Sequence, residues 1–589
     1  MKKKSLRTLV SLLTCMVMLV TMFSACSQAS KPAENSSSSG TQQSAPAAGA
    51  NEFPIVKQPL TLTLWMRLSK SSTSMNDLNN MAAFQEMEKA TGIHINFKHP
   101  PAGQEKDQFN LMIASGDLPD LIWGGGYSFP NDAEALANKQ IIALNDLVAK
   151  YAPNYNKVLN DYPNFRKTMS TDDNNLIGIG FCQPFIEAGG IGGPDFRKDW
   201  LDKLGLKIPT TIDEWETVLT AFKEKDPNGN GKADEIPFDS SKNGAIMELA
   251  VAWGVLKDFY VEGGAQKGQI RYGPIQPAFK EFIIKMADWY KKGLINKDYL
   301  VTDDKLRTAN ITGNKTGSTW GNMHGNLGDW TGLMRNDPKF VLWPAPRPKL
   351  KSDGKIYANL ERALSLSPYK GYITTKNKYP VESIRWFDWG YTQAGQMAFN
   401  FGRENESYKM VDGYPKYTDL ILNNPDKLST ANAIAKYSMA NMEFTFVQHP
   451  AYVEQIVGSS ASQRQALKTW KTGWPDSPEQ NLGMPPITLT SAEEASDKSA
   501  LNDIKTYTDE MLDKFITGQE PLTKYDDFVK QLKNMGVDQC IKVRQTALER
   551  WRKRCGVEYV PTLVKFVPNY KNAVLITQKG MEYIDPDLK

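Results

Sequence analysis

Histidine and cysteine are scarce in this chain, at four and five residues among 589. His94, His99, His324 and His449 show no HExxH or other paired spacing, which gives no support to a histidine-built metal centre. His94 falls in an alternating, strand-like stretch and is read as structural. Cys15, Cys26, Cys182, Cys540 and Cys555 form neither a CxxC pair nor an even framework. Spacing alone leaves open whether Cys540 and Cys555 pair. No GxSxG elbow and no Walker loop is present. A charge of one sign is also missing. The first 25 residues carry Lys2, Lys3, Lys4 and Arg7 and no acid, so beyond them the 70 basic residues fall by four to 66, equal to the 66 acidic ones. That balance excludes a general nucleic-acid binder. Only one long apolar run exists, and no repeat has a solenoid period.

That run, Leu9 to Phe23, follows the basic start and is shorter than the roughly 20 apolar residues that span a bilayer. It fits the core of a signal peptide over residues 1–25. Ser24 and Ala25 then lead to Cys26, which resembles a bacterial lipobox, with Phe23 where Leu is usual. Lipidation at Cys26 is the expectation, and ordinary secretion with cleavage after another small residue is the alternative. Residues 27–50 are rich in Ser, Ala, Gly and Pro without apolar periodicity, and are read with Cys26 as a flexible linker over 26–51. The protein is thus expected on the extracellular face of a cell membrane, held by a lipid anchor only.

The body starts with an α/β rhythm. Leu60–Trp65 alternates as a strand does, and Leu78, Met81, Phe84 and Met87 recur at helical spacing over 75–90, closed by Gly92. Ile93, Ile95 and Phe97 alternate again, 108–114 reads as a helix, and Leu121–Trp123 as a short buried strand. Strand, helix, strand, helix, strand predicts a parallel sheet covered by helices. Ligands of such sheets gather beyond the carboxyl ends of the strands, where Asp120, Trp123 and Gly124–Tyr127 are expected.

Several stretches share an order and spacing: Ser115–Asp120 (SGDLPD), Ile142–Leu147 with Tyr151–Asn154, Arg197–Leu206, Pro209–Trp215, Asp226–Pro237, Phe515–Gly518 and Tyr525–Gly536. Together they resemble the extracellular solute-binding proteins of family 1, the lipoprotein receptors of carbohydrate ABC importers. The likeness is greatest to the LplA-like and alginate-binding subgroup and runs from about residue 58 to 551. It leaves the tail after Arg552 unmatched. The resemblance implies a two-lobed α/β fold of the periplasmic-binding-protein type II class. One lobe would comprise about 52–180 and 352–430, and the other about 181–351 and 431–589. A ligand cleft would lie between them, with hinge closure around the ligand.

Asp226–Pro237 (DPNGNGKADEIP) also aligns with the EF-hand loop. Asp226, Asn228 and Asn230 take the first three ligand positions, Gly231 the sharp turn, Lys232 the backbone-carbonyl position and Asp234 the next ligand position. A hard cation wants such an oxygen cage at about 2.3–2.6 Å. The closing glutamate is absent because Pro237 stands there, and Glu235 is read as its replacement. The alginate-binding relatives resemble this, with an adjacent Asp-Glu pair closing a calcium loop. Structural Ca²⁺ is the expectation, and a polar Asx-rich turn without metal is the alternative. A capping box, Thr211 to Glu214, starts the helix that leads into the loop, with Trp215, Val218, Leu219 and Phe222 on its apolar face.

Sugar sites combine aromatic platforms with carboxylates and amides. Candidate ligand residues are therefore Asp120, Trp123, Tyr127, Trp320, Trp330, Trp389 and Glu404. Trp320 and Trp330 flank a glycine-rich segment with little to hold it in a core. Glu404 stands where the family often has glycine-x-glutamate-glycine, with Asn405 replacing the second glycine. For each tryptophan a core role is equally compatible with the sequence, and two of the set are expected to touch ligand. Trp215, Trp289 and Trp551 sit on amphipathic helical faces and are read as core, whereas Trp386 fits either role. Arg550–Arg554 is read as a solvated basic cluster.

The reading is a monomeric, non-enzymatic receptor that binds an oligosaccharide and delivers it to ABC permease subunits, without nucleic acid. A surface-anchored polysaccharide hydrolase or lyase, a ligand-presenting sensor protein and an oligopeptide-binding protein are the alternatives.

Overall fold

A computed structural model describes residues 49 and 52–555, together with 576–577 and 580–581. Residues 69–74, 125–126, 128, 130, 184–191, 243, 361–368, 427, 429, 441–443, 458–459 and 473–476 are excepted. The expected signal segment, Cys26 and nearly all of the expected linker lie outside the described residues, as do the side chain of Cys555 and most of the tail. No described helix is long and apolar enough to cross a membrane.

The strands, in chain order, begin with β1 (Leu60–Met66), β2 (Ile93–Lys98), β3 (Leu121–Trp123) and β4 (Ile179–Gly180). Next come β5 (Gly192–Arg197), β6 (Ile236–Phe238), β7 (Phe259–Glu262), β8 (Gln269–Tyr272) and β9 (Thr316–Asn322). The main body ends with β10 (Leu342–Pro344), β11 (Lys370–Ile373), β12 (Tyr408–Val411) and β13 (Tyr414–Tyr417). β1 runs parallel to β2, with Leu60 opposite Ile93, and parallel to β3, with Leu64 opposite Leu121. The parallel expectation holds for these three. It is corrected at β11, which enters antiparallel between β3 and β4 and gives the order β2-β1-β3-β11-β4. Nothing in the amino-terminal alternation signals a strand that arrives from residue 370.

Local chemistry explains the elements. Asp77 caps a 3₁₀ turn, Leu78–Asn80, before the helix Ala82–Thr91. Gly92 ends that helix at φ 75°, a left-handed conformation that costs glycine little. Leu62, Leu64, Phe84, Met87, Ile93 and Ile95 are buried together, as the two periodicities required. A second sheet has the order β10-β5-β9-β6, with β5 antiparallel to both β9 and β10 and β6 parallel to β9. Its core gathers Phe196, Trp215, Phe222, Phe238, Trp289 and, from the carboxyl-terminal helices, Trp551. Trp215 and Trp289 are fully buried and Trp551 nearly so, as expected. A large apolar side chain buried this way stabilises by about 1.5–3 kcal/mol.

A third cluster joins Trp330 and Leu342 to Phe401, Tyr417, Tyr452 and Trp470. Ala435, Met439, Phe444 and Phe446, beyond the expected boundary at 430, pack into the first-sheet core. The cores therefore interleave more finely than the expected division of the chain.

The basic cluster near the end of the last helix is only partly solvated. Arg550, half-buried, forks onto both oxygens of Glu493 at 2.6 Å and donates to Asp172 at 3.1 Å, whereas Lys553 is exposed. Arg552 donates to the carbonyls of Ala265 and Gly268. His94 lies in β2, the strand expected for it, exposed and with Nδ1 3.1 Å from Glu88. Cys540, like Cys182, is a buried free thiol.

Candidate functional site

β1, β3 and β4 end at Met66, Trp123 and Gly180, and the antiparallel β11 starts at Lys370, all at one end of the first sheet. In the second sheet β6, β9 and β10 end at Phe238, Asn322 and Pro344 where β5 starts at Gly192. The chain leaves the first sheet at Gly180 to enter the second at Gly192, and leaves the second at Pro344 to re-enter the first at Lys370. Both connections join the same two ends. Those ends form the region where open α/β sheets take ligands.

The expected ligand residues distribute unevenly over it. Trp123 is 0 % exposed and packs on Phe444 at 5.1 Å, with its Nε1 lacking a hydrogen-bond partner. Trp330 is 2 % exposed, donates to Thr308 and lies beneath the Arg307 guanidinium at 5.3 Å. Trp389 is 4 % exposed and packs edge-on to Phe399. Trp386 is likewise buried, against Phe387 and Phe444. These rings belong to the cores. Asp120 precedes β3 and so sits at the amino end of that strand, opposite to its expected place. Its Oδ2 accepts from the backbone N–H (2.8 Å) and hydroxyl (2.7 Å) of Thr63, tying β3 to β1. Glu404 is exposed on the turn leading into β12, where Asn405 adopts φ 64°. Left-handed backbone there explains the family's glycine, and asparagine is among the few residues that tolerate it.

Two expected residues keep accessible ring surface at the sheet ends. Tyr127 is half-buried, edge-on to Trp65 at 6.3 Å, with the Arg67 guanidinium 5.9 Å from its ring. Trp320 is half-buried on β9, and its carbonyl accepts from Arg307 at 3.3 Å. The segment after it is not loose, contrary to expectation. Met323–Gly328 forms a π-helical turn, and Met323 and Leu327 are fully buried with Trp330. Their spacing is a helical face, a signal that the surrounding glycines and asparagines obscured. Gly321 permits the close packing, because a Cβ there would stand 2.8 Å from Asn326, 3.0 Å from Trp330 and 3.3 Å from Asp195.

The polar residues of the second-sheet end were not singled out by the sequence. Arg347 is buried and donates to the carbonyls of Gly192 (2.8 Å) and Trp470 (3.3 Å). Burial pulls its pKa down to about 10, and nearby Glu248 opposes that. Glu248 is exposed, yet the protein packed around it raises its pKa, against the pull of Arg347. Asp329 shows the same combination of exposure and a pKa raised by burial. Asp195 is fully buried, and both its carboxyl oxygens lack hydrogen-bond partners. Burial holds its pKa well above the usual carboxylate range despite Arg307. A separate concavity of about 650 Å³, lined by residues that include Glu406, Lys409, Lys416 and Thr418, belongs to the β12–β13 hairpin and not to the sheet ends.

The loop after the helix Ile212–Glu224 is built as its sequence demands. The capping box of Thr211 and Glu214 is present in both directions. Asp226, at φ 43°, accepts from the N–H groups of Gly229, Asn230 and Gly231 and so wraps the backbone around its carboxylate. Asn228 and Asn230 both donate to Asp234, at 3.2 and 2.9 Å. Hydrogen bonding from Asn230, above all, lowers the Asp234 pKa. Lys232 is exposed, and its N–H donates to Asn230. Glu235 has a buried Oε1 without a partner. Its pKa is raised by burial first and then by the negative charges of Asp226 and Asp234. Among the described residues no three His, Cys, Asp or Glu side chains gather closely enough to hold a metal ion. The donor set that fits one therefore draws on amide and backbone oxygens as well. A buried, unpartnered Glu235 oxygen within the electrostatic reach of Asp226 and Asp234 is a charge a hard cation would relieve.

Comparison with known proteins gives concordant likenesses. The family described as bacterial extracellular solute-binding protein matches residues 76–397. The fructooligosaccharide ABC transporter substrate-binding protein FusA of Streptococcus pneumoniae is 30 % identical over 366 residues. That match spans 59 % of this chain and 64 % of FusA. Lipoprotein LipO of Bacillus subtilis is 27 % identical, over 61 % of this chain and 70 % of its own length. Among solved structures, the alginate-binding protein AlgQ2 without calcium ion superposes with a TM-score of 0.67 at 26 % identity. It covers 84 % of this chain and 99 % of AlgQ2. FusA structures, one with kestose and one an EF-hand mutant with fructo-nystose, give 0.69 and 0.68 at 23 % and 22 % identity. Each covers 84 % of this chain and 100 % of FusA. These likenesses show a two-lobed solute-binding-protein fold.

Proposed function

The chain belongs to the bacterial extracellular solute-binding protein family, and from that premise we propose that it binds an oligosaccharide between its two sheets and delivers it to an ABC permease. The observation that carries the reading is the pairing of sheet ends. The connections from Gly180 to Gly192 and from Pro344 to Lys370 meet there, Tyr127 and Trp320 are half-buried, and Glu248 and Asp329 are exposed. Aromatic faces take sugar C–H surfaces, and carboxylates take hydroxyls. FusA, a fructooligosaccharide-binding protein, and the alginate-binding AlgQ2 support a carbohydrate ligand. A thermal-shift screen against a glycan panel, followed by calorimetry, tests it. A sugar that raises the melting temperature and binds at one site per chain is expected. Stabilisation only by peptides, or release of new reducing ends or unsaturated products, overturns it.

Two finer readings accompany this one. Cys26 carries a lipid that tethers the protein outside the cell, a reading supported by the signal-like run before it and by the relative LipO. Labelling with radioactive palmitate in the wild type, lost in Cys26→Ala, is expected. Ca²⁺ sits in the loop 226–235 with Asp226, Asn228, Asn230, the Lys232 carbonyl, Asp234 and Glu235 as donors. Support comes from the unpartnered Glu235 oxygen, and from FusA and AlgQ2, where an EF-hand and a calcium ion figure. Bound there, it would pin the end of the Ile212–Glu224 helix and stabilise the fold without touching ligand.

A further inference from the structure

A polar contact ties the body of the first sheet to that of the second. Asp172 belongs to the first. It stands in the turn between Met169 and Leu176, which both pack into the first-sheet core, and the chain then runs on into β4. Thr488, Glu493 and Arg550 belong to the second. Ile487 packs against the second-sheet core, the helix Ser491–Thr517 adds Ile504 and Leu512 to it, and the helix Val537–Cys555 adds Leu548 and Trp551. Between the two bodies Asp172 accepts twice, from the Thr488 hydroxyl at 2.5 Å on one carboxyl oxygen and from Arg550 Nε at 3.1 Å on the other. One residue beyond Thr488, the Leu489 carbonyl accepts from the Asn131 amide at 2.8 Å. Asn131 caps the helix Asp132–Ala137, and Asp132 is paired at 2.6 Å with Lys370, where β11 starts. The contact thus adjoins the sheet end to which the ligand region is assigned.

The chemistry of this contact allows it to part. The Nη groups of Arg550 are fixed within their own body, on both oxygens of Glu493 at 2.6 Å and on the Thr488 carbonyl at 2.9 Å. Asp172 therefore meets a guanidinium already oriented, which lowers the entropy cost of each meeting. When Asp172 leaves, Arg550 keeps Glu493, so no buried charge is stranded. The side chains of Asp172 and Arg550 are 25 % and 28 % exposed, enough for water to take up the carboxylate on opening and for salt to weaken the pair. The bodies are joined differently at the helix Gln393–Phe401. There Phe399 packs into the first-sheet core, and Phe401 into the cluster that holds Leu342 of β10. An apolar union of that kind does not come apart without exposing large rings.

We propose that Asp172 and Arg550 form a releasable clasp that holds the two bodies at the spacing seen here in the ligand-free protein, with the apolar union at Phe399 and Phe401 as the fixed joint. The consequence for ligand rests on the sugar-binding reading above: a cleft already held at this width spares an oligosaccharide part of the work of closing it.

Small-angle X-ray scattering of the ligand-free full chain tests the clasp. Asp172→Asn is expected to increase the radius of gyration at low salt, and Thr488→Val to do so by less. Added salt should expand the wild type and leave Asp172→Asn unchanged. Glu493→Gln removes an arm that lies within the second body, so it should lower the melting temperature without expanding the molecule. Wild-type scattering and salt response in Asp172→Asn overturn the clasp, as does equal expansion in Glu493→Gln. Calorimetry with the oligosaccharide that most raises the melting temperature in a glycan panel reads the consequence. Asp172→Asn is expected to bind it about three- to tenfold more weakly, and equal or tighter binding overturns the sparing of work. If no oligosaccharide binds, the sugar reading falls, and the scattering still decides the clasp.

Discussion

The loop at 226–235 and the turn at 322–330 are written in much the same letters, glycine, asparagine and aspartate, and they are held by opposite forces. The first is an outward-facing knot of local hydrogen bonds, three backbone N–H groups closing on Asp226 and two amides on Asp234. The second is pinned from beneath by Met323, Leu327 and Trp330. A polar loop closed on itself concentrates negative charge, the setting in which a cation is proposed. A polar loop nailed down by buried side chains is held in one conformation. Composition does not separate the two, but the spacing of the few apolar residues among the polar ones does.

The comparison can be broken by measurement. Trp330→Ala should have the largest effect, since emptying a buried indole costs about 3–5 kcal/mol. Thermal unfolding should show it, and an unchanged melting temperature would mean that the turn is not anchored from below. Calcium removal comes next and should act on the other region alone. At calcium a hundredfold above Kd, the bound ion contributes about 2.7 kcal/mol. EDTA should therefore lower the wild-type melting temperature and leave that of an Asp226→Ala, Glu235→Gln double variant unmoved. Equal EDTA effects in both would remove the cation from the loop.

Gly321→Ala should follow, because its Cβ lands 2.8 Å from Asn326 and 3.0 Å from Trp330, an overpacking worth about 1–3 kcal/mol. Sugar affinity should fall with stability, whereas Gly229→Ala in the first loop should leave sugar affinity alone. The smallest effect concerns Glu216, on the helix that enters the first loop. Burial raises its pKa, but hydrogen bonds from Lys292, Trp289 and Lys285 outweigh that and bring it down to about 2. A depressed carboxylate stabilises the fold above its unfolded pKa, and that stabilisation disappears as pH falls through the folded value. The wild type should thus lose a stability increment between about pH 4.5 and pH 2 that Glu216→Gln lacks. Parallel melting curves across that range would refute it.

Most of what was legible in the sequence was local. Alternation at 60–66 and 93–98, the stop at Gly92 and the capping box at Thr211 all fold as their residues dictate, because each depends on neighbours a few positions away. The loop at 226–235 was legible for the same reason. The site was less so. Trp123, Trp330 and Trp389 were plausible platforms by composition, but whether a ring faces a cleft or a core depends on distant partners such as Phe444 and Phe399. Asp120 looked like an edge residue because it borders a strand, and only the strand direction places it at the far end. Arg347 carries no motif at all. Its place emerges from Gly192 and Trp470, brought to it by the fold.

The insertion of β11 between β3 and β4 has a bearing on how the molecule is made. The outer edge of β3 has its backbone partners only when residues 370–373 arrive, long after β1 to β3 have been synthesised. A chain emerging from its amino end would carry an unpaired sheet edge for that interval, the kind of surface on which extended segments of other chains can pair. Closing it waits on a contact distant in sequence, and such contacts form slowly. The last strand of the first sheet in chain order is therefore an interior one, and the late entry of β11 ties completion of that sheet to nearly two thirds of the chain being present.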